Sequence, residues 1–463
     1  MGVGRGVGGG GVSGVAPAAH EGVPRRQPAR ETAARTYARA VPIVPVRARG
    51  MTIEGADGRR YLDCLSGAGA LALGHNHPVV LEAIRRVLDS GAPLQAFDLA
   101  TPAQDAFVAE LSRTLPPGLA GHARVRFCGP GETDAVEAAF RLVRAATGRS
   151  DVVALSGGGR PQGSELAVRW AESALDAPEP GTPRPAGVIV EPVQGEGGMI
   201  PAPDAWMRRL REVTAARSVP LIADEVRTGV GRTGAFWAVE HSGVTPDVMV
   251  LSRAIGGSLP LAVLVYRDDL DVGRPGAPAD TFRGNQLAMA AGTATLTHVR
   301  ENDLAARAAA LGARMLDQLR ALKREFSCVR EVRGRGLMIG VEFVDSADRA
   351  GSAVAEAGEG RAARRAVAAC DGLAAAVQRE CLCRGLIVDL GGPHANVVRL
   401  LPPLTISDEQ ATAVLDRLAD AVQSVALAHA GRPPGSGLHR PEEAGAQLLS
   451  HAGRTKRAVR RGS

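Results

Sequence analysis

The chain has 463 residues, 45% of them hydrophobic, which is enough to bury a large core and to build two or three structural units in one folded body. Its net charge of +6 is small for that length, and no apolar run approaches the roughly 20 residues of a membrane span. The Gly-rich start lacks the apolar segment of a secretory signal, and six scattered cysteines without metal-ligand or redox spacing fit a reduced, cytoplasmic setting.

The charge conceals a bias. Lysine occurs only at Lys323 and Lys456, so 53 of the 55 basic residues are arginine. A basic cluster of Arg454, Lys456, Arg457, Arg460 and Arg461 ends the chain; such a run can touch nucleic acid, but a solvated terminus is the commoner explanation.

Residues 1–29 are Gly, Pro, Ala and Arg without periodicity and read as a disordered leader. Folding is expected from about Arg30. Gly55-Ala-Asp-Gly58 forms a turn signal between two partly apolar stretches, predicting a hairpin within Val46 to Leu62. His77-Pro78 opens a helix through Val87, with Val79, Val80, Ile84 and Val87 at helical spacing. Residues 30–100 form the N-terminal part of a small domain in this reading.

Between residues 101 and 298 helical patterns alternate with short apolar runs, Val188 to Val190, Pro220 to Ala223 and Val248 to Leu251. That alternation predicts an α/β unit with a mainly parallel sheet covered by helices, where ligands bind beyond the carboxyl ends of the strands. Residues 299–428 begin with a long Ala/Leu-rich helix past Asn302 and continue into an expected strand from Gly334 to Glu342. A Gly/Ala-rich insertion follows at 351–373, and residues 429–463 read as a flexible basic tail.

Three blocks carry chemistry in order: Glu191-Pro-Val-Gln-Gly-Glu-Gly-Gly198, then Asp224-Glu225 ahead of Thr228-Gly-Val-Gly-Arg-Thr-Gly234, then Leu251-Ser-Arg-Ala-Ile-Gly-Gly-Ser-Leu-Pro260. Singly, acids at a strand end are usually solvated or capping residues. Together, the order and spacing resemble the class III aminotransferases, the fold-type-I group dependent on pyridoxal phosphate (PLP). Arg124 to Pro130, Thr133 to Ala139, Thr281 to Ala291, Val397 to Leu404 and Leu65 to Pro78 are similar to the branch that pairs diaminobutyrate with 2-oxoglutarate. The resemblance covers roughly residues 30 to 425. It implies a large cofactor-binding domain with helices on both faces of its sheet, plus a smaller α+β domain built from both chain ends.

The resemblance also assigns roles. Asp224 would lie against the pyridine nitrogen and keep it protonated, so that the ring accepts the electrons of a substrate carbanion. Val226 would pack beneath the ring, and Thr133 would offer its hydroxyl and helix-terminal N–H groups to the phosphate. Thr281 would reach the same phosphate from a second subunit, implying a homodimer or hetero-oligomer. Arg399 would clamp the α-carboxylate of glutamate or 2-oxoglutarate, and Glu196 would pair with Arg399 when the amino donor presents its distal amine. The implied reaction moves the terminal amine of L-2,4-diaminobutyrate to 2-oxoglutarate, giving aspartate 4-semialdehyde and glutamate. Seen alone, Thr133 and Thr281 would be capping threonines, and Arg399 with Glu196 a surface ion pair.

Four departures cluster on the cofactor. Arg253 stands where the family has its Schiff-base lysine, and guanidinium neither forms an imine nor shuttles a proton. Glu132 replaces a glycine of the phosphate cup, where its charge would oppose the phosphate. Near residues 158–165 the aromatic-His-Gly segment that stacks on the ring is missing. Arg227 replaces a glutamine that approaches the phenolic oxygen, and could itself donate there. Three readings follow: a working transaminase; a catalytically inactive homologue acting by binding or hetero-oligomerisation, or the product of a decaying gene; and, from the tail alone, a binder of anionic surfaces.

Overall fold

Three short strands come first: β1 (Pro45–Arg49), β2 (Thr52–Gly55) and β3 (Arg60–Asp63) form an antiparallel meander, with Thr52 opposite Leu62 across the expected Gly55 to Gly58 turn. The structure is a computed structural model that describes residues 41–96, 99–155, 173, 175, 184–272, 281–344 and 372–430. The leader, the 158–165 region, most of the 351–373 insertion and the basic tail lie outside the described residues.

Helix α1 (Pro78–Asp89) starts at the predicted proline, and α2 (Pro102–Thr114) is capped by the Thr101 hydroxyl, which accepts from the Gln104 N–H at 3.2 Å. The large sheet then accumulates β4 (Ala123–Phe127), β5 (Val152–Leu155), β6 (Gly187–Val190), β9 (Leu221–Asp224), β10 (Val248–Leu251) and β11 (Val263–Arg267) in the spatial order β4-β11-β10-β9-β6-β5. Neighbours β10-β9, β9-β6 and β6-β5 are parallel, whereas β11 is antiparallel to both β10 and β4. The residues of β6 and β10 are buried throughout, as unbroken apolar runs in a two-sided sheet must be. Helices α3 (Glu132–Thr147) and α4 (Asp204–Ala216) cover this sheet, and the short pair β7 (Val193–Gln194) and β8 (Ile200–Pro201) follows β6. Trp237 is fully buried in the core, where its indole N–H donates to the Thr114 carbonyl at 2.8 Å.

Helix α5 (Gln286–Glu301) runs through residue 298 and leads into α6 (Leu304–Glu325), the expected Ala/Leu-rich helix. The single strand expected from Gly334 to Glu342 is instead a hairpin, β12 (Val329–Arg335) against β13 (Met338–Phe343). The chain reverses at Gly336, whose φ of +54° suits glycine. Helix α7 (Leu373–Cys383), β14 (Leu386–Ile387), β15 (Asp389–Gly391), β16 (Val397–Leu400) and α8 (Asp408–Ala430) complete the chain. Strand β14 pairs parallel with β3, so the two chain ends share a sheet, as the smaller α+β unit requires. A second antiparallel sheet runs β12-β13-β16-β15. Among the described residues no helix is long and apolar enough to cross a membrane, and no cluster of acidic, His or Cys residues is placed to hold a metal.

Candidate active site

Strand direction brings the candidate residues together. Because β11 is antiparallel to both β4 and β10, β4 runs the same way as β10, β9 and β6. The carboxyl ends of these four strands therefore share one edge of the sheet. From it emerge Glu132 and Thr133 after β4, Glu191 and Glu196 after β6, Asp224 and Arg227 at the end of β9, and Arg253 after β10. That edge is where open α/β sheets bind ligands.

Asp224 is the last residue of β9 and accepts the Val226 N–H at 3.0 Å. Burial pushes its carboxyl up to about 6; the Val226 hydrogen bond acts the other way, and the nearby Glu191 and Glu132 add to the rise. Among the described residues no cationic side chain forms an ion pair with it, although Arg227 is close enough to offset part of the shift. Next to it, Glu225 is fully enclosed and raised to about 7 by burial, accepting from the Thr228 hydroxyl and the Val239 N–H. Glu225 anchors the following loop and faces no cleft. Val226 is buried in the same apolar cluster as Ala135, Ala138 and Ala139 of α3.

Glu132 and Thr133 occupy the first turn of the 16-residue α3, after Gly131, whose N–H is held by Asp134 at 2.9 Å. Thr133 is exposed. Arg253 follows β10 in a short 3-10 turn with φ +55°, a left-handed conformation that strains a residue with a β-carbon. Its Nε and Nη2 both lie 2.7 Å from Glu132 Oε2, and its Nη1 donates to the Ala68 carbonyl at 3.0 Å. Two of the residues expected to depart from the resemblance, Arg253 and Glu132, are thus each other's partners.

Arg399, on β16, is 5% exposed. It pairs with Glu196 at 3.0 Å and with Asp389, which faces it in the β15–β16 register. Its Nε is buried without a partner. Glu196 is shared, since Arg227 also pairs with it. Burial would raise the Glu196 carboxyl, but Arg227 and Arg399 outweigh burial and hold it below the usual range. The expected Glu196–Arg399 contact is present, and the structure adds to it the Arg227–Glu196 contact, which the sequence does not foretell. Thr281 is exposed, its carbonyl accepting from Gln95 at 2.8 Å, and it joins none of these residues within one chain.

Sequence reasoning missed Asp389, whose only signal is its strand register opposite Arg399, and Ala68, which acts through its carbonyl. Glu191 belongs to the first chemical block without a role read from it; its carboxylate accepts the Gly195 N–H at 2.8 Å, shaping the loop that presents Glu196.

A mainly parallel sheet with a buried aspartate at its ligand edge, a helix N-terminus beside it and an arginine-carboxylate cage opposite define a fold-type-I PLP-transferase. The sequence pattern of the class-III aminotransferases matches residues 33–173 and 164–422, and the chain belongs to that family. It is 45% identical to a diaminobutyrate–2-oxoglutarate aminotransferase of Rhizobium meliloti, covering 86% of this chain and 92% of that one. A protein of the same name from Haemophilus influenzae is 37% identical, covering 86% and 94%. Among solved structures, a PLP-bound amine transaminase from an uncultivated Pseudomonas species matches with a TM-score of 0.71 at 28% identity, covering 83% and 95%. Plasmodium falciparum ornithine δ-aminotransferase gives a TM-score of 0.70 at 26% identity, covering 83% and 94%.

Pyridoxal phosphate is the cofactor of this family. At the ring the residues present suit it: the Asp224 carboxyl, raised by burial, is the kind of group that a protonated ring nitrogen, placed there by the resemblance, would hold ionised. At position 253, where the resemblance puts the attaching lysine, the residue present does not fit covalent attachment, because the Arg253 guanidinium is held by Glu132 and the Ala68 carbonyl and has no amine.

Proposed function

We propose that this chain serves the transfer of the terminal amine of L-2,4-diaminobutyrate to 2-oxoglutarate, yielding aspartate 4-semialdehyde and glutamate, in the cytoplasm and as a homodimer or hetero-oligomer. The observation that carries the proposal is the buried Arg399 with its unpartnered Nε, held between Glu196 and Asp389, in a chain 45% identical to a relative named for this reaction. Neither relative named above supports the inactive-homologue reading.

The cofactor, when bound, supplies the electron sink for the substrate carbanion. This chain's residues supply the rest. The ionised Asp224 carboxylate would stabilise a proton on the ring nitrogen, and Val226 would supply an apolar side chain beneath it. Thr133 and the first N–H groups of α3 would receive the phosphate where Glu132 does not stand in its way. Arg399 would offer its planar guanidinium to an α-carboxylate, the Nη1 that Glu196 now occupies becoming the free donor once Glu196 withdraws. Glu196 must leave Arg399 for the dicarboxylate to dock, and Arg227 gives it a second cationic partner to stay on. With a diamino acid bound by its distal end, Glu196 returns to Arg399 and the cage is neutral again. Arg253 contributes a fixed cation and no base.

The test is direct. Protein, PLP, diaminobutyrate and 2-oxoglutarate should produce glutamate faster than the same mixture without protein, and Arg399→Met should abolish the excess. Glutamate formation no faster than the protein-free control would refute the proposal.

A further inference from the structure

The two substituted positions at the cofactor end are joined by geometry. Glu132 sits at the first position of α3, where the N–H groups of the helix end would meet a phosphate, and its Oε2 lies 2.7 Å from both Nε and Nη2 of Arg253. The third arm of the guanidinium is tied to the Ala68 carbonyl at 3.0 Å. The Arg253 side chain is 18% exposed and that of Glu132 45%, so the pair is half-sheltered, and its charges are screened less than those of a free surface pair. A carboxylate at this helix end competes for the same N–H groups and the same electrostatic field that a phosphate would use.

We propose that Glu132 and Arg253 form an internal plug that competes with pyridoxal phosphate for its own site, Glu132 taking the place of the phosphate and Arg253 that of the attaching lysine. The inference rests on the family reading of the site, and it makes the two positions interdependent. With lysine at position 253 and Glu132 retained, the ammonium pairs with the carboxylate, stays protonated and cannot attack. With Glu132 neutralised and Arg253 retained, the helix end and the freed guanidinium both turn to the phosphate, so the cofactor binds without a covalent bond. Only with both changed can a lysine amine at position 253 condense with the cofactor aldehyde, forming the C=N bond and releasing water.

The experiment compares wild-type protein, E132Q, R253K, and the double variants E132Q/R253K and E132G/R253K, each checked by thermal melting. Noncovalent binding is read by equilibrium dialysis of pyridoxal phosphate, with inorganic phosphate as a separate probe of the anion cup. Attachment is read as imine absorption and as mass added after borohydride reduction. E132Q should bind pyridoxal phosphate and phosphate at least about 10-fold more tightly than wild type, because a like charge is removed a few ångströms from the anion. Borohydride should fix the cofactor in the double variants and leave R253K largely unlabelled. Labelling of R253K equal to that of the doubles would overturn the proposal, as would wild-type affinity within about twofold of E132Q. Folded double variants that take no label would also overturn it, whereas glutamate formation by the wild type bears only on the family reading.

Discussion

Asp224 makes the stability of the cofactor-free protein depend on pH in a way that can be worked from the structure. In the unfolded chain its carboxyl ionises near 3.8; in the folded chain burial raises it to about 6. Between those values the folded state holds a proton that the unfolded state has lost, so stability declines as pH rises through this window. A shift of about two units corresponds to on the order of 3 kcal/mol, fully present below about pH 4 and lost above about pH 6. Asp224→Asn keeps the shape and the oxygen that accepts the Val226 N–H, but it cannot ionise. Denaturant unfolding of wild type and variant across about pH 4 to 7 should show the variant gaining on wild type by roughly 3 kcal/mol over the range. Glu225, raised to about 7 by burial, gives both proteins a further decline between about 4.5 and 7, which cancels in the difference. A stability difference independent of pH would refute the reasoning. So would a difference that shrinks with rising pH, since it would mean that Asp224 ionises more easily in the folded protein than outside it.

Three further outcomes are expected. Arg399→Met should weaken 2-oxoglutarate binding, measured calorimetrically on protein loaded with pyridoxal phosphate, by about 100-fold or more through loss of charged hydrogen bonds. Its stability cost should be only about 1–3 kcal/mol in denaturant unfolding, because the freed Glu196 side chain is already 67% exposed and returns to water. Arg227→Gln should leave Glu196 with Arg399 alone; 2-oxoglutarate then displaces it at greater cost, and binding should weaken several-fold while diaminobutyrate binding changes little, a contrast that titration of both ligands reads. Gly312→Ala should destabilise the fold by about 2–3 kcal/mol in thermal or denaturant unfolding, because the added methyl would lie 2.1 Å from the Gly336 carbonyl where α6 crosses the hairpin turn.

The sheet is legible in the sequence because its strands are short apolar runs. Val188 to Val190 and Val248 to Leu251 fall inside β6 and β10, and the Pro220 to Ala223 run becomes β9 with its end one residue later at Asp224. Helix α3 is legible from the 3.6-residue spacing of Val136, Ala139, Phe140 and Val143. The hairpin at Gly336 is not, because Gly334 to Glu342 is apolar enough to read as one strand. The turn is held from elsewhere in the chain: the Leu337 N–H donates to the Arg232 carbonyl at 3.0 Å, and a β-carbon at position 336 would lie 2.4 Å from the Thr233 backbone. At the site, residue identities are legible and pairings are not. Glu132 and Arg253 are 121 positions apart, and nothing in local sequence says that two separately notable substitutions meet. Asp389 escapes notice for the same reason: its role arises from strand register with Arg399, which side-chain chemistry alone does not announce.

That meeting also bears on why arginine can persist at position 253 in a chain with 53 arginines and two lysines. On a surface the exchange of lysine for arginine costs little, since water satisfies either head group. At a half-sheltered position the guanidinium brings five N–H donors in a fixed plane, and those turned from water need acceptors. Glu132 accepts two of the nitrogens and Ala68 a third, so the backbone strain of a left-handed arginine is met by a closed set of contacts. A glycine at position 132 would leave the guanidinium with a single carbonyl partner, while Asp134 would still cap the helix end. Glutamate at position 132 therefore suits arginine at position 253 better than it suits the lysine of the family, whose amine must lose its proton to react. The substrate end is arranged differently: Arg399 pairs with both Asp389 and Glu196, and Glu196 is shared with Arg227, so one carboxylate stands between two guanidinium groups and can stay on one when it leaves the other.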